Sequence, residues 1–248
     1  RAERDGLELG IVINATNIKS EGSPPAPQDA LRRIDAIQNR WWFDPIFKGA
    51  YPADILEDFG DLADAIQPGD VEHIAQPLDW LGINYYFDGL FRGLADEDPT
   101  PRVRAYPTAT GVTQAPLREV HTDMGWPITP EGFTELLVRV HEDYPNLPPI
   151  YITENGCAYD DPVVDGRCAD PRRIDYLDLH LRALKDAIDE GVDVRGYFQW
   201  SLLDNFEWAL GYDKRFGIVH VDFDTQKRLF KDSAWFYRDV IARNGLES

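Results

Sequence analysis

The sequence predicts an α/β fold in which parallel strands alternate with helices, and three observations support this prediction. Apolar runs of strand length alternate with segments of helical periodicity, in the order strand then helix, four times. Several of these runs end in polar or acidic residues, as the carboxyl-terminal tips of barrel strands do. A doubly wound sheet is the alternative, but no Gly-rich phosphate loop follows the first strand. About four such units indicate one half of a TIM (β/α)8 barrel, strands 5–8, as a single unit over residues 1–248.

Four apolar runs have the length and composition of buried strands. Strands of a parallel sheet are covered on both faces, so they lack the polar alternation of exposed strands. The run before Glu154 is the clearest case, because it stops at a carboxylate and is followed at Gly156 by a turn that needs glycine. The predicted strands span residues 7–15, 78–86, 149–155 and 194–202.

Helical periodicity fills the intervals between these strands. Thr129 is expected to cap one helix, with Pro130 in the first turn, and Gly191 is expected to end another. Residues 87–124 form a long stretch without helical period, and excursions of this length usually face a ligand. The predicted helices span residues 28–42, 53–58, 61–76 with a break at Pro68 and Gly69, 129–144, 170–190 and 231–243, and residues 218–223 are expected to form one arm of a hairpin.

Composition and charge limit the classes of partner. With 248 residues, the chain is long enough for one or two ordinary domains with a sizeable core. The formal net charge of −19 argues against nucleic acid and anionic membranes, which would repel the chain, although solubility alone would account for such acidity. No apolar run is long enough to cross a bilayer, and residues 1–10 are charged, unlike a signal peptide. We therefore expect a cytoplasmic protein.

The two cysteines, Cys157 and Cys168, flank one short loop. So few cysteines argue against a disulfide-rich secreted domain. A local disulfide and two free thiols both remain open, because closeness in sequence does not fix the Cα geometry. The five histidines are scattered, and the cysteines lack a partner pair at zinc spacing, so we expect no metal and no cofactor.

Polar and acidic side chains gather at the ends of the predicted strands, where the catalytic groups of barrels lie. Glu154 ends the third strand, and Asn84 and Tyr86 end the second. A tyrosine hydroxyl near a carboxylate would keep that carboxylate ionised and oriented, although Tyr86 taken alone could equally be a core residue. The tip of the fourth strand brings Trp200, Asp204, Asn205, Glu207 and Trp208 close together in sequence.

Carboxylates interleaved with indoles suit a sugar as ligand. Aromatic faces cover the C–H faces of a sugar, and carboxylates accept hydrogen bonds from its hydroxyls. Trp126, between two loop elements, could rim such a cleft or simply pin the loop. Glycoside hydrolysis needs two carboxylates, a general acid and either a nucleophile or a base. On the residues alone, Glu154 and Glu207 are the first candidates for that pair.

Five stretches match motifs that occur together in one family of enzymes. They are NRWWFDPIFKGAYP (39–52), LGINYY (81–86), MGWPITPEG (124–132), YITENG (151–156) and WSLLDNFEWALGYDKRFGIVHVDF (200–223). The last two are highly specific, because both occur in order and at the right spacing. Over nearly the whole chain the sequence resembles glycoside hydrolase family 1, the β-glucosidase family.

The resemblance implies a role for each residue at the strand tips. Glu154 would be the nucleophile that forms a covalent glycosyl-enzyme, and Tyr86 would orient it. Glu207 would bind sugar rather than act as the acid, which replaces the pairing suggested by the residues alone. The other implied substrate contacts are Asn84 beside the sugar, Trp200 beneath the glycone, Trp208 with Glu207 on the distal hydroxyls, Trp126 on the aglycone side, and Phe216.

The chain departs from the family pattern in what it lacks. The family carries its acid/base glutamate in an Asn-Glu-Pro motif at the fourth strand's tip, and has a His-Trp segment on the third strand; neither occurs here. The resemblance therefore covers the carboxyl-terminal half of the barrel. It implies a partner, an N-terminal half-barrel polypeptide bearing the acid/base glutamate, carried either on a second chain or on a longer polypeptide from which this one is cut.

For the function, the resemblance implies a retaining β-glycosidase, in the first instance a β-glucosidase. Its substrates would be β-glucosides or cello-oligosaccharides, cleaved from the non-reducing end. This chain alone would be inactive or incomplete, because it lacks the proton donor. A non-catalytic carbohydrate-binding or regulatory half-barrel is the alternative.

Overall fold

The computed structural model describes residues 6–95, 106 and 108–247. Short strands are distributed along the whole described chain. They are β1 (Gly10–Asn14), β2 (Ile18–Ser20), β3 (Trp80–Asn84), β4 (Gly89–Gly93), β5 (Val112–Gln114), β6 (Ile150–Asn155), β7 (Val163–Val164), β8 (Arg167–Cys168), β9 (Val194–Gln199), β10 (Val219–Val221) and β11 (Arg228–Phe230).

Each strand of the central sheet is followed along the chain by one or more α-helices. They are α1 (Gln28–Asp35), α2 (Trp41–Phe47), α3 (Ala53–Asp58), α4 (Asp70–Ile74), α5 (Pro130–Asp143), α6 (Pro171–Asp189) and α7 (Asp232–Arg243). A π-helical segment, Ala36–Arg40, joins α1 to α2, and 3-10 turns occur at Gly60–Ala65 and Trp208–Leu210.

Four parallel strands form the central sheet in the order β1-β3-β6-β9. The four predicted strands and their parallel arrangement are therefore confirmed, with observed ends that fall inside the predicted ranges. In register, Ile13 lies beside Ile83 and Ile83 beside Ile152. This row packs against α5 and α6 in the largest core cluster, so the helices cover one face of the sheet.

The opposite face of the sheet carries large aromatic rings beside glycines. A Cβ atom on Gly10 would lie 2.1 Å from the Trp80 ring, and one on Gly196 would lie 2.6 Å from the Tyr151 ring. Each ring therefore lies over a glycine of the neighbouring strand. An open cavity of about 280 Å³ remains on this face, lined by Glu8, Trp80, Tyr151, Thr153 and Phe198.

The outer edges of the central sheet have no pairing strand among the described residues. The outermost strands are β1 and β9, as predicted. Ile11 and Val12 on β1 are 39% and 44% exposed, and Phe198 on β9 is 57% exposed. Apolar edges of this kind are aggregation liabilities unless another element covers them.

The stretch over residues 87–124 contains strands that the sequence did not predict. Strands β4 and β5 pair antiparallel, and β2 joins them to make a three-stranded sheet. The middle of the stretch, residues 96–105 and 107, lies outside the described residues. The hairpin expected at residues 218–223 is confirmed by the antiparallel pair β10–β11.

Three expectations for the helices were wrong in detail. The helix predicted over residues 61–76 is a 3-10 turn at Gly60–Ala65 followed, after Gly69, by the short α4. The first predicted helix continues through the π-helical segment into α2 and ends at Phe47, with Pro45 inside it. Thr129 precedes α5, but its hydroxyl makes no capping hydrogen bond to the helix. Instead it accepts a hydrogen bond from the backbone N–H of Asp88 at 2.9 Å and contacts the Tyr85 hydroxyl, so it joins the helix to the loop after β3.

The two cysteines are free thiols, and both are buried. Burial raises the pKa of Cys157 to about 12 and that of Cys168 to about 11, so both are protonated at neutral pH. The alternative of a local disulfide is thereby rejected. No helix in the described ranges is both long and apolar enough to cross a membrane.

Candidate active site

Glu154 and Tyr86 form the centre of the candidate site. Glu154 lies at the tip of β6, and Tyr86 follows β3 on the neighbouring strand. The Tyr86 hydroxyl donates a hydrogen bond of 2.6 Å to Oε2 of Glu154. Burial, together with the Glu154 carboxylate, raises the pKa of Tyr86, which stays a hydrogen-bond donor at neutral pH. This short bond to an acceptor carboxylate fixes one oxygen of Glu154 and leaves the other to face a ligand.

Irregular strand pairing at these tips turns two consecutive side chains to one side. The register shifts between Ile83 and Asn84 on one ladder and between Ile152 and Asn155 on the other. Ile152 and Asn155 are fully buried, whereas Thr153 and Glu154 between them are half-buried. In a regular strand, successive side chains point to opposite faces of the sheet. The irregular pairing therefore allows Thr153 and Glu154 both to point away from the face that the helices cover. Thr153 donates to the Asn84 side-chain oxygen at 2.6 Å, which holds Asn84 beside them.

Aromatic rings pack around Tyr86. Its ring centroid lies 5.2 Å from that of Trp126 and 6.3 Å from that of Phe216, and the latter two are 5.9 Å apart. Phe216 is only 2% exposed, so it supports the other two rings from behind. On the far side of Trp126, a cavity of about 500 Å³ is lined by Phe87, Leu117, Arg118 and neighbouring residues.

Trp200 is held against the Glu154 strand by its backbone. Its N–H donates to the Asn155 carbonyl at 2.9 Å, and its peptide bond to Ser201 is cis. A Cβ atom on Gly156 would lie 1.8 Å from the Trp200 carbonyl oxygen. The expectation that Gly156 serves a turn conformation therefore needs correction: glycine is required here by the close approach of a second chain segment.

Glu207 and Trp208 lie on the loop that follows β9. Burial, and after it the negative charge of Glu154, raises the pKa of Glu207. Trp208 begins the 3-10 turn and is 81% exposed. The structure thus gathers Glu154, Tyr86, Asn84, Trp126 and Phe216 through direct contacts, and adds Trp200 and Glu207, while Trp208 remains open at the surface.

A buried ionic network, not anticipated from the sequence, supports the loops of the site. Arg173 and Lys231 are fully buried, and both form ion pairs with Asp161. Lys231 also lies 3.3 Å from Asp204, and Arg173 lies 3.0 Å from Asp170. These pairs join the loop after Glu154, the loop after Trp200 and the starts of α6 and α7. Removing one partner would leave a buried uncompensated charge, so the loops are held together as a unit.

Metal chemistry has no obvious ligand set in the described chain. No group of three or more His, Cys, Asp or Glu side chains within the described ranges could hold a metal ion. The chemistry offered by the site is that of carboxylates, a phenol and indoles, which bind sugar hydroxyls and sugar faces.

The four parallel strands, each followed by helices, and the carboxylate and aromatic side chains at their tips are the features of half a (β/α)8 barrel of the glycoside hydrolase class. The chain belongs to glycosyl hydrolase family 1, whose profile matches residues 2–246. A bifunctional β-D-glucosidase/β-D-fucosidase of Bifidobacterium breve is 44% identical over 228 residues, covering 86% of this chain and 48% of that protein. β-Glucosidase A of Thermotoga maritima is 42% identical over 246 residues, covering 98% of this chain and 52% of the relative.

Solved structures agree with the sequence relatives. The psychrophilic β-glucosidase of Micrococcus antarcticus superposes with a TM-score of 0.86 at 46% identity, covering 96% of this chain and 53% of the other. The Thermotoga maritima family 1 β-glucosidase in complex with isofagomine lactam gives a TM-score of 0.84 at 40% identity, over 96% of this chain and 52% of the other. The chain therefore spans about half the length of the relatives it matches, and its sheet corresponds to part of their TIM barrel.

Proposed function

We propose that this chain supplies the nucleophile and most of the glycone-binding residues of a retaining β-glucosidase. The observation that carries the proposal is the 2.6 Å hydrogen bond from Tyr86 to Glu154 at the tips of adjacent barrel strands. A carboxylate held in this way has one oxygen free to attack, and family membership supports the role. Glu154 attacks the anomeric carbon, the glycosidic C–O bond breaks, and water later releases the sugar with retained configuration.

The surrounding residues bind the sugar in this proposal. Trp200 lies beneath the glycone and Asn84 beside it. Glu207 and Trp208 bind the distal hydroxyls, and the raised pKa of Glu207 suits hydrogen bonding to a hydroxyl. Trp126 separates the site from the 500 Å³ cavity and forms the aglycone wall. The substrate is a β-glucoside or a cello-oligosaccharide, in keeping with the names of the relatives.

The general acid comes from a complementary half-barrel in this proposal. The described chain offers unpaired edges at β1 and β9, which a second set of four strands would close. The acid/base glutamate on that half protonates the leaving-group oxygen and then activates water. We refer to this chain expressed with the N-terminal half of the Micrococcus antarcticus relative as the completed barrel.

Covalent trapping tests the proposed function. A 2-deoxy-2-fluoro-β-glucoside with a dinitrophenolate leaving group should add one fluoroglucosyl unit to the completed barrel. Fluorine slows both the formation and the hydrolysis of the intermediate, whereas the good leaving group restores the rate of formation only, so the intermediate accumulates. Peptide mass spectrometry should place the added mass on the peptide containing Glu154. A Tyr86→Phe variant should be labelled at the same residue but more slowly, since the carboxylate loses the bond that orients it.

Labelling on Glu207 instead would reverse the assigned roles. The alternative, a non-catalytic carbohydrate-binding half-barrel, has its own expected result: saturable binding of the same sugar with no gain in mass. The structural observation that favours chemistry over binding alone is again the oriented carboxylate, because a binding site does not need a carboxylate oxygen fixed by a phenol.

We also expect the completed barrel to lose stability in acid through His180. This residue on α6 is fully buried, its Nδ1 hydrogen-bonds to the Tyr176 carbonyl at 2.8 Å, and its Nε2 has no hydrogen-bond partner among the described residues. Burial lowers the pKa of His180 to about 4. Below about pH 6.5 the unfolded state therefore binds a proton at this histidine, whereas the folded state does not bind it until the pH approaches 4. Stability present above pH 6.5 is therefore lost as the pH falls towards 4, by about 3 kcal/mol.

Urea unfolding at a series of pH values measures this loss. A His180→Phe variant keeps a ring among Tyr176, Tyr85 and Phe133. Between pH 4 and 6.5, the free energy of unfolding of this variant should fall less steeply with decreasing pH, by the equivalent of one proton taken up on unfolding. An unchanged slope in the variant would mean that other groups set the acid limit.

A further inference from the structure

We propose that Asn155 is a positioning residue that sets the geometry of the Tyr86–Glu154 pair, an inference that rests on the proposed role of Glu154. Asn155 follows Glu154 directly but points to the opposite side of the strand, and it is fully buried. It touches neither the cleft nor a ligand position. Its effect on the reaction would therefore pass through the backbone of the strand tips.

The Asn155 side chain is fully hydrogen-bonded to two strands and a helix. Its Oδ1 accepts a bond of 2.8 Å from the hydroxyl of Tyr197 on β9. Its Nδ2 donates 2.8 Å to the carbonyl of Tyr85, just after β3, and 3.1 Å to the hydroxyl of Tyr176 on α6. A buried amide satisfied in this way has a single orientation, because rotation would place donor against donor and acceptor against acceptor.

Two of these bonds lead to the backbone that carries Tyr86. The bond to the Tyr85 carbonyl acts on the residue immediately before Tyr86. The Tyr176 hydroxyl, which accepts from Asn155, donates in turn to the Tyr86 carbonyl at 3.2 Å. One amide thus restrains both peptide groups of the Tyr86 segment, while its own backbone is joined to Glu154.

The strand pairing explains why a side chain is needed at this point. The β3–β6 and β6–β9 ladders both lose regular register next to Glu154. Single backbone bonds still join the tips there, from the Tyr85 N–H to the Glu154 carbonyl and from the Trp200 N–H to the Asn155 carbonyl, both at 2.9 Å. The Asn155 side chain adds bonds to this irregular pairing. Without them, the distance between the Tyr86 hydroxyl and the Glu154 carboxylate would no longer be set at 2.6 Å.

The test compares Asn155→Asp with Tyr176→Phe in the completed barrel. Asn155→Asp keeps the shape but removes both donors and sets an oxygen against the Tyr85 carbonyl. Tyr176→Phe removes only the hydroxyl that reaches Tyr86. Misplacing a catalytic group by about 1 Å costs on the order of 100-fold in rate. We therefore expect kcat and the maximal rate of fluorosugar labelling to fall roughly 100-fold in Asn155→Asp. In Tyr176→Phe, which loses one bond only, both rates should fall about 10-fold. KM and the half-saturating fluorosugar concentration should stay within about threefold, because the sugar-binding groups are untouched.

Asn39→Asp is the matched control. Asn39 is also a buried asparagine whose side chain bonds to backbone: its Oδ1 accepts from the Thr16 N–H at 3.0 Å, and its Nδ2 donates to the Thr16 carbonyl at 2.8 Å. It lies on the π-helical segment, however, and not at the strand tips. The Asn39→Asp variant should have a lower free energy of unfolding, but its kcat per labelled site should be unchanged. Native kcat and labelling rate in Asn155→Asp would overturn the proposal, and if that variant does not fold, the same result in Tyr176→Phe would do so. Failure of the unmodified protein to be labelled at Glu154 would instead contradict the proposed function.

Discussion

Replacing Glu154 with glutamine is expected to lower the hydrolysis of aryl β-glucosides by the completed barrel by at least about 10⁴-fold, because an amide cannot attack the anomeric carbon. The Tyr86 hydroxyl can still donate to the amide oxygen, so the variant should fold normally. Steady-state kinetics with a nitrophenyl glucoside, together with a melting curve for each protein, measure the two effects separately.

An external nucleophile provides the control for this prediction. In Glu154→Ala, azide can occupy the vacated space and attack from the same face, so the product should be the α-glucosyl azide. Glu207→Gln is the comparison within the site: as a sugar-binding residue it should raise KM about tenfold and still allow labelling of Glu154. Glu154→Gln with activity above about one hundredth of the unmodified level would show that another residue forms the intermediate.

The chain without a complementary half-barrel is expected to aggregate, or to behave as a molten globule, and to leave unactivated β-glucosides intact. Its apolar edge strands have no pairing partner in the described structure, and the general acid is proposed to lie on the other half. Loss of general acid catalysis alone costs about two to four orders of magnitude. Light scattering, thermal melting and turnover of cellobiose, measured before and after the N-terminal half is added, check the expectation.

Adding that half should restore a cooperative melt and hydrolysis together. An N-terminal half in which the acid/base glutamate is replaced by glutamine is the matched control, since it should restore the melt but not the hydrolysis of cellobiose. A monodisperse, cooperatively melting monomer of this chain that turned over cellobiose unaided would contradict the half-barrel proposal.

The sequence predicted the central sheet well because its strands carry local signals. Long apolar runs and abrupt polar ends marked all four strands and their order. Strand β5 was missed because it has only three residues. Strand β4 is as long as β1 and β3, but it begins and ends in glycine and opens a Pro- and Thr-rich stretch, so it lacks the long apolar run that marked them. The extension of the first helix was missed because Pro45 suggested a break, whereas the structure accommodates it inside α2.

From the residues alone, the site was predicted where they lie at strand tips, whereas the family motifs were needed for Trp126 and Phe216, which lie on loops. Glu154 and Tyr86 could be placed together because adjacent parallel strands end at the same edge. The partners of Asn155 lie 70, 21 and 42 residues away, and nothing local identifies the hydroxyls that hold it. The same applies to Lys231 and Asp161, which are 70 residues apart and pair only in the folded chain. Buried polar partners are fixed by topology, and single-sequence patterns do not report them.

The rings that lie over glycines on the inner face have a consequence for how this half evolves. Trp80 fills the space above Gly10, and Tyr151 fills the space above Gly196, so this half contributes two large rings to that face of the sheet. In the proposed complete barrel, the strands of the other half would need small side chains opposite these rings, because an overpacked layer is destabilising. Substitutions in one half would thereby be constrained by volumes in the other. A graft between relatives, the completed barrel included, should pack well only where the N-terminal half carries small side chains opposite these ring–glycine pairs.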